Sequence, residues 1–272
     1  MVIGGREFNV DHKCYIMGIL NVTPDSFSDG GKWDSLDRAL HRTEIMIREG
    51  MDILDIGGES TRPGHTVISD QEEIERVVPF VEAVRMRFDI PISVDTYKSR
   101  VADAAIKAGA ALINDIWGLR KDSKMAGIIA QNNVACCLMH NREHMDYRDF
   151  FSDVLEDLRH SVSIAKSAGV ENHKIILDPG VGFAKNYKQN LQVINGVDRL
   201  KVIGCPILLG TSRKSVIGTA LNLPVDERLE GTLATTVIAV LRGCSFVRVH
   251  DVKENKRAVI MTEALRHSNP NE

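Results

Sequence analysis

Short apolar runs in this chain repeatedly break into polar residues at their C-terminal ends. The breaks carry Asn21, Asp55 with Glu59-Ser60-Thr61-Arg62 just beyond, Asp95, Asn114-Asp115, His140, Asp178, Thr211-Ser212-Arg213-Lys214, and Arg248 with His250. A lone aspartate after a strand is ordinarily a helix cap or turn residue. Many such ends gathered at one mouth would concentrate like charge at a cost in stability, which argues for a function. Asp95, Asn114 and Asp178 suit a flat heterocycle rich in N–H donors and ring acceptors. Arg62, Arg248 and His250 suit an anion such as phosphate, and Lys214 could join either set. One ligand bearing both a heterocycle and a phosphate would satisfy the whole mouth.

The elements that must position these residues follow from the hydrophobic pattern. Strands are expected at Tyr15–Leu20, Ile53–Gly57, Ile92–Asp95, Ala111–Asn114, Val134–Met139, Ile175–Asp178, Ile207–Gly210 and Phe246–Val249. Helical stretches separate them, among them Ser35–Glu49, Gln71–Phe88, Phe151–Ala168, Glu227–Arg242 and Val252–His267. Ser69 and Asp70 are good caps for the second of these. Glu72 and Glu73 read as complements to its dipole rather than as an acid pair. Repeated β-α units in one uninterrupted chain predict an α/β fold of the (β/α)8 TIM-barrel type, a single domain over residues 1–272. Met1–Val10 is expected to form a hairpin across one end, turning at Gly4-Gly5. A doubly wound open sheet is the alternative, but no G-x-G-x-x-G turn follows the first strand. In a barrel the strand ends converge on the face where barrel enzymes place their chemistry, and an anion at the eighth strand fits the common phosphate site. The polar loops Asn21–Gly31 and Glu59–Gly64 read as lids over a ligand or as solvated turns.

Composition narrows the class. Of 272 residues, 43% are hydrophobic and 26% charged, and 34 basic against 37 acidic residues leave a formal net charge of −3. That is an ordinary globular balance with no electrostatic footprint for nucleic acid. No apolar run approaches the roughly 20 residues a bilayer requires, so no membrane partner is expected. Met1–Val10 lacks the apolar core of a signal peptide. The five cysteines, with no C-x-x-C pair, read as reduced, buried hydrophobes, which points to the cytoplasm. His140 and His144 have an i, i+4 spacing but no third zinc-ligand pattern. Asp25–Gly30 has Phe27 where a calcium ligand belongs. Arg213-Lys214-Ser215 lacks the glycine of a phosphate-binding Walker loop, and no G-x-S-x-G elbow is present. Lys214 beside Arg213 remains a candidate Schiff-base lysine.

These residues fall in segments that resemble the bacterial dihydropteroate synthases, the sulfonamide targets of folate synthesis. The segments are Gly18–Gly31 (GILNVTPDSFSDGG), Asp55–Gly64 (DIGGESTRPG), Ser93–Thr96 (SVDT), Asn114–Ile116 (NDI), Asp178–Lys185 (DPGVGFAK), Gly210–Ser215 (GTSRKS) and Arg248–Val252 (RVHDV). The resemblance implies a barrel that joins 6-hydroxymethyl-7,8-dihydropterin diphosphate to 4-aminobenzoate, giving 7,8-dihydropteroate and diphosphate. By matched position it implies that Asp95, Asn114, Asp178 and Lys214 hold the pterin, with Ile116 and Met139 against its ring. Asp95, Asp178 and Lys214 would be the catalytic groups. It further implies that Asn21, Arg248 and His250 hold the diphosphate, Asn21 also as a magnesium ligand. Thr61, Arg62, Phe27, Phe183 and Ser215 would shape the aminobenzoate pocket, and Gly182 would also be substrate-binding. Family members are usually homodimers built through their last helices. Two stretches depart from the family pattern: Asn141–Tyr147 replaces a Gly/Pro-containing segment, and Trp117 is bulkier than expected after NDI.

On this reading, loss of diphosphate leaves a cation conjugated with the pterin ring, which Asp95 and Asp178 would stabilise. The arylamine is already nucleophilic, so no covalent enzyme intermediate is expected. The rival functions are a folate methyltransferase barrel, which would lack the STRPG and SRKS segments, and a non-catalytic pterin-binding barrel, which would show erosion of the first loop.

Overall fold

The computed structural model describes residues 1–22, 32–59 and 67–268, except for the side chains of 32–35 and 267. The chain begins with a hairpin of β1 (Val2–Ile3) and β2 (Arg6–Glu7). It continues through β3 (Tyr15–Asn21), α1 (Lys32–Arg48), β4 (Ile53–Gly57), α2 (Asp70–Arg87), β5 (Ile92–Asp95) and α3 (Ser99–Ala108). Next come β6 (Leu112–Asp115), α4 (Met125–Gln131), β7 (Ala135–Met139), α5 (Phe150–Ser167), β8 (Ile175–Asp178) and α6 (Tyr187–Asn195). The last elements are β9 (Leu208–Leu209), α7 (Ser215–Leu221), α8 (Leu229–Leu241), β10 (Phe246–Val249) and α9 (Val252–His267).

The 8-stranded sheet runs in the order β8-β7-β6-β5-β4-β3-β10-β9, all parallel. A bridge between Leu177 and Ile207 joins its two ends, so the sheet closes into the TIM barrel that the β-α repeat predicts, and the open-sheet alternative falls. The closing contact is brief. β9 spans Leu208–Leu209 rather than Ile207–Gly210, and Ile207 forms the bridge to β8 while its carbonyl accepts from the Phe246 amide. β3 extends one residue beyond expectation, to Asn21, and β6 ends at Asp115 rather than Asn114. The helix expected from Glu227 starts at Leu229, after a short 3-10 turn at Val225–Glu227.

Alternation along the strands separates two apolar layers. The inward residues Met17, Ile53, Leu112, Ala135, Cys137, Ile176, Leu208 and Phe246 fill the barrel's lower half together with Ile3 and Phe8. The hairpin caps that end as expected. Gly4 and Gly5 both have positive φ (57° and 81°), the two-residue turn a tight hairpin requires. Phe8 meets Tyr15 edge-on with ring centroids 4.8 Å apart. Ile3 and Phe8 are each 1% exposed, so each contributes about 1.5–3 kcal/mol by burial. Outward residues such as Ile16, Leu54, Val94, Ile113 and Leu138 pack under the helices. With one end plugged by hydrocarbon, the polar strand ends collect at the other.

Ser69 caps α2 as the sequence predicts, its side chain accepting from the Glu72 amide at 3.1 Å. Glu73 departs from the prediction. It is buried and ion-paired to Lys98 at 2.7 Å, while Glu72 stays on the surface against Arg76.

Candidate active site

Strand register sets one tier of the mouth. Asn21 pairs with Gly57, Gly57 with Asp95, and Asp95 with Asn114. Gly57 leaves room for its neighbours: a Cβ there would lie 3.5 Å from Asn21 Oδ1 and 3.9 Å from Asp95 Cβ. Gly210 plays the same part on the far wall, where a Cβ would lie 3.6 Å from Asp178 Oδ2 and 3.8 Å from Arg248 Cβ.

Arg248 sits at the centre. Its Nε donates to Asp55 Oδ2 at 2.6 Å and its Nη2 to Asp95 Oδ2 at 2.8 Å. Asp55 is fully buried and Asp95 is 4% exposed. The other oxygen of each carboxylate, and the hydroxyl of Ser93 beside Asp55 in register, are buried without a hydrogen-bond partner among the described residues. Three unpartnered polar atoms at one place are costly, and they mark where a ligand's donors belong. Burial pushes the Asp95 carboxyl up to about 7, the attraction of Arg248 opposing and the repulsion of Asp55 adding to the rise. Asp178 is raised for the same first reason, against the pull of Lys214 and of the Gly180 amide, which donates to it at 2.7 Å. Arg248 is held charged despite its burial by Asp55 and Asp95.

Lys214 precedes α7 and reaches back across the mouth. Its Nζ donates to the Val181 carbonyl at 2.5 Å and lies 4.9 Å from the centre of the Phe183 ring. Burial lowers its pKa to about 8, with Asp178 pulling it back up. Gly182, at φ 86°, passes close beneath: a Cβ there would meet the Lys214 Cδ at 3.4 Å. Ile116 and Met139 are buried at the ends of β6 and β7. His250 is fixed by Ser212, whose Oγ lies 2.9 Å from the His250 Nδ1. Ser215 is exposed as the first residue of α7, and Asn21 is exposed at the end of β3. Thr61, Arg62 and Phe27 lie outside the described residues.

Asp95, Asp178, Lys214 and Arg248 thus form one interacting cluster at the mouth. Three further residues carry it. Asp55, noted in the sequence only as a strand end, anchors Arg248; Ser93 adds an unpartnered hydroxyl; Ser212 orients His250. A charged residue within the otherwise apolar ILDIG run is the one available signal for Asp55. Nothing in the pattern distinguishes Ser93.

The two departures from the family pattern sit together beside the mouth. Arg142 stacks 4.6 Å from the centre of the Tyr147 ring and donates to Asp157 at 2.6 Å, while Lys121 lies 4.7 Å from that of Trp117. They line an open cleft of about 670 Å³. Its cations Arg120, Lys121, Arg142 and Arg148 each have an acidic partner within 4 Å, so the cleft's positive charge is locally balanced.

Among the described residues no group of three or more His, Cys, Asp or Glu side chains could cage a metal. Asn21 offers one amide oxygen at the rim. That donor set fits a magnesium ion carried mainly by phosphate oxygens and water, the usual state of this ion in nucleotide and diphosphate sites.

The family model for pterin binding enzymes matches residues 17–250. A dihydropteroate synthase of Clostridium beijerinckii is 58% identical over 97% of this chain and 99% of its own length. A crystal structure of dihydropteroate synthase from Clostridium difficile, in the presence of pteroic acid, superposes with a TM-score of 0.94 at 49% identity, covering 96% of this chain and 100% of that one. A dihydropteroate synthase from Xanthomonas albilineans with 4-aminobenzoic acid superposes with a TM-score of 0.93 at 37% identity, covering 98% of each chain.

Proposed function

The chain belongs to the pterin binding enzyme family, and from that premise we propose that it is a dihydropteroate synthase, a transferase that joins a dihydropterin diphosphate to 4-aminobenzoate. The observation that carries the reading is the Arg248–Asp55–Asp95 cluster, which buries acceptors without partners among the described residues and interacts with Lys214. The free oxygens of Asp95 and Asp55, with Asn114 and Asp178, match the N–H donors and ring acceptors of a pterin. Ile116 and Met139 pack against its ring, and Lys214 binds its ring acceptors. Arg248, His250 and Asn21 bind the diphosphate, Thr61, Arg62, Phe27, Phe183 and Ser215 enclose the aminobenzoate, and Gly182 is also substrate-binding.

Asn21 would hold a magnesium ion that arrives with the diphosphate, and that ion would supply neutralisation of leaving-group charge. The carbon–oxygen bond of the pterin methylene breaks and its electron pair leaves with the diphosphate. The ring-conjugated cation that remains sits against Asp95 and Asp178, whose desolvated carboxylates favour it over the neutral ground state. The arylamine lone pair then forms the carbon–nitrogen bond, and its proton leaves to water or diphosphate. No covalent bond to the enzyme is required. Borohydride trapping of substrate on Lys214 would instead mark a Schiff-base enzyme.

Exposed apolar residues on α9, Ile260, Met261 and Leu265, and Leu241 on α8 support a homodimer formed through these helices. The five buried, unpaired cysteines support residence in the reducing cytoplasm. Among the described residues no helix is long and apolar enough to cross a membrane. The decisive assay incubates the protein with the dihydropterin diphosphate, 4-aminobenzoate and Mg2+. Formation of 7,8-dihydropteroate supports the reading, and its absence with folded protein refutes it.

A further inference from the structure

The turn after β8 bears two parts of the site, the Val181 carbonyl that accepts from Lys214 and the Phe183 ring beside it. It passes through left-handed backbone at Gly180 (φ 69°), Gly182 (φ 86°) and Ala184 (φ 45°). The last is a non-glycine residue in a conformation that needs outside support. Lys185 fills the turn from within and is 8% exposed. Its Nζ donates to the Gly180 carbonyl at 3.0 Å, the Phe183 carbonyl at 3.0 Å and the His140 Nδ1 at 2.8 Å. An ammonium has three N–H groups and no acceptor, so these bonds use all of it. Asp157 is held ionised and can only accept, so the neutral His140 ring donates from Nε2, 3.0 Å from Asp157 Oδ2, and its Nδ1 accepts from Lys185, whose pKa burial lowers to about 7. Burial lowers the His140 pKa to about 4 and keeps the ring neutral for that task. Asp157 is in turn held by Arg142 at 2.6 Å, and burial's upward push on its pKa is outweighed by the hydrogen bonds from His140 and Arg142. On the turn's outer side the Tyr147 hydroxyl donates to the Ala184 carbonyl at 2.9 Å.

We propose that Lys185 is a positioning residue for the reaction: braced by His140 and Asp157, it locks the 180–184 turn so that Val181 and Phe183 hold the Lys214 ammonium at the pterin pocket. The inference rests on the pterin-binding role of Lys214 and extends it to a residue that acts through the turn. Arg142 and Tyr147, both in the stretch that departs from the family pattern, supply the outer half of this brace.

A double-mutant cycle tests it. Lys185→Met should raise the KM for the dihydropterin diphosphate about tenfold, a displacement effect on a catalytic contact. In a Lys214→Met background the same change should alter that KM by less than about twofold, because the contact it serves is already gone. Multiplying effects would overturn the proposal, since a merely structural loss acts alike in both backgrounds. If Lys185→Met does not fold, Tyr147→Phe serves, with about a threefold rise expected in the parent and none in the Lys214→Met background. Multiplying effects there would overturn the proposal equally. If Lys214→Met alone changes neither KM nor turnover, the role of Lys214 itself fails and takes this inference with it.

Discussion

Asp95→Asn separates the function of the mouth from its stability. The native carboxyl keeps its proton up to about pH 7, whereas the same group in the unfolded chain titrates at an ordinary 3.8. Between these limits the folded chain binds more protons than the unfolded one, so this group's contribution to stability falls as pH rises. The cost is absent below about pH 4 and complete above about pH 7. A shift of that size corresponds to at most about 4 kcal/mol. Waters entering the pocket and small rearrangements relieve part of it, and a net gain of about 2 kcal/mol is expected for the isosteric amide at pH 8. The amide retains an oxygen for Arg248, so the pocket's geometry is kept. For a chain of this length that gain raises the melting temperature by about 5 °C at pH 8, and by nearly nothing at pH 5, where Asp95 is already neutral. Turnover should meanwhile fall about 10²–10³-fold, because a neutral amide cannot offset the developing charge on the pterin methylene. Thermal melts of both proteins at pH 5 and 8, with initial rates of dihydropteroate formation, decide the matter. An equal melting difference at both pH values would refute the desolvation argument. Turnover within about threefold of the parent would refute the catalytic one.

Lys98 binds Glu59 Oε2 at 2.5 Å, Glu73 Oε2 at 2.7 Å and the Ile68 carbonyl at 2.8 Å, all in a buried cluster. Lys98→Met should therefore cost about 3–5 kcal/mol by stranding the two carboxylates, and less at low pH as they take up protons; a loss under about 1 kcal/mol in denaturant melts would count against the cluster. Ile260, Met261 and Leu265 are each 57–59% exposed on one stripe of α9. Light scattering should give twice the chain mass for the parent and a single chain mass for Leu265→Glu, and a monomeric parent would remove the dimer proposal.

Much of this architecture was legible because alternation and turn chemistry are local. The apolar runs at β4, β5, β8 and β10 sit where their patterns place them, and Gly4-Gly5 turns the hairpin as paired left-handed residues should. What escaped the sequence was non-local. The first-turn position of Glu73 looks the same whether its side chain meets water or Lys98, a residue 25 positions away. Asp55 becomes part of the site only because a barrel brings Arg248 to it across 193 residues. Ser93 matters through what it lacks, a partner, and no pattern of residue types records that. The convergence of Asp95, Asp178, Lys214 and Arg248 was inferable from the fold class alone, since every parallel strand in a closed barrel ends at the same face.

The charges of the mouth also predict how its chemistry titrates. Asp55, Asp95 and Asp178 face Arg248 and Lys214, so the fully ionised pocket carries one excess negative charge that a cationic pterin methylene would cancel. Without ligand, the pocket sheds that excess through Asp95, whose carboxyl stays protonated up to about pH 7. If the proposed mechanism holds and Asp95 acts in its ionised form, kcat/KM for the dihydropterin diphosphate should decline on the acid side of about pH 7, the limb reporting the free enzyme. Asp55 repels the charge on Asp95. Replacing it in Asp55→Asn should therefore make Asp95 easier to ionise, aided by an Arg248 no longer shared between two acids. The acid limb should then move to lower pH by about one unit, even as the rate at its plateau falls. If that limb stays in place, Asp95 is not the group that sets it, and the cation-stabilising role argued from its burial fails.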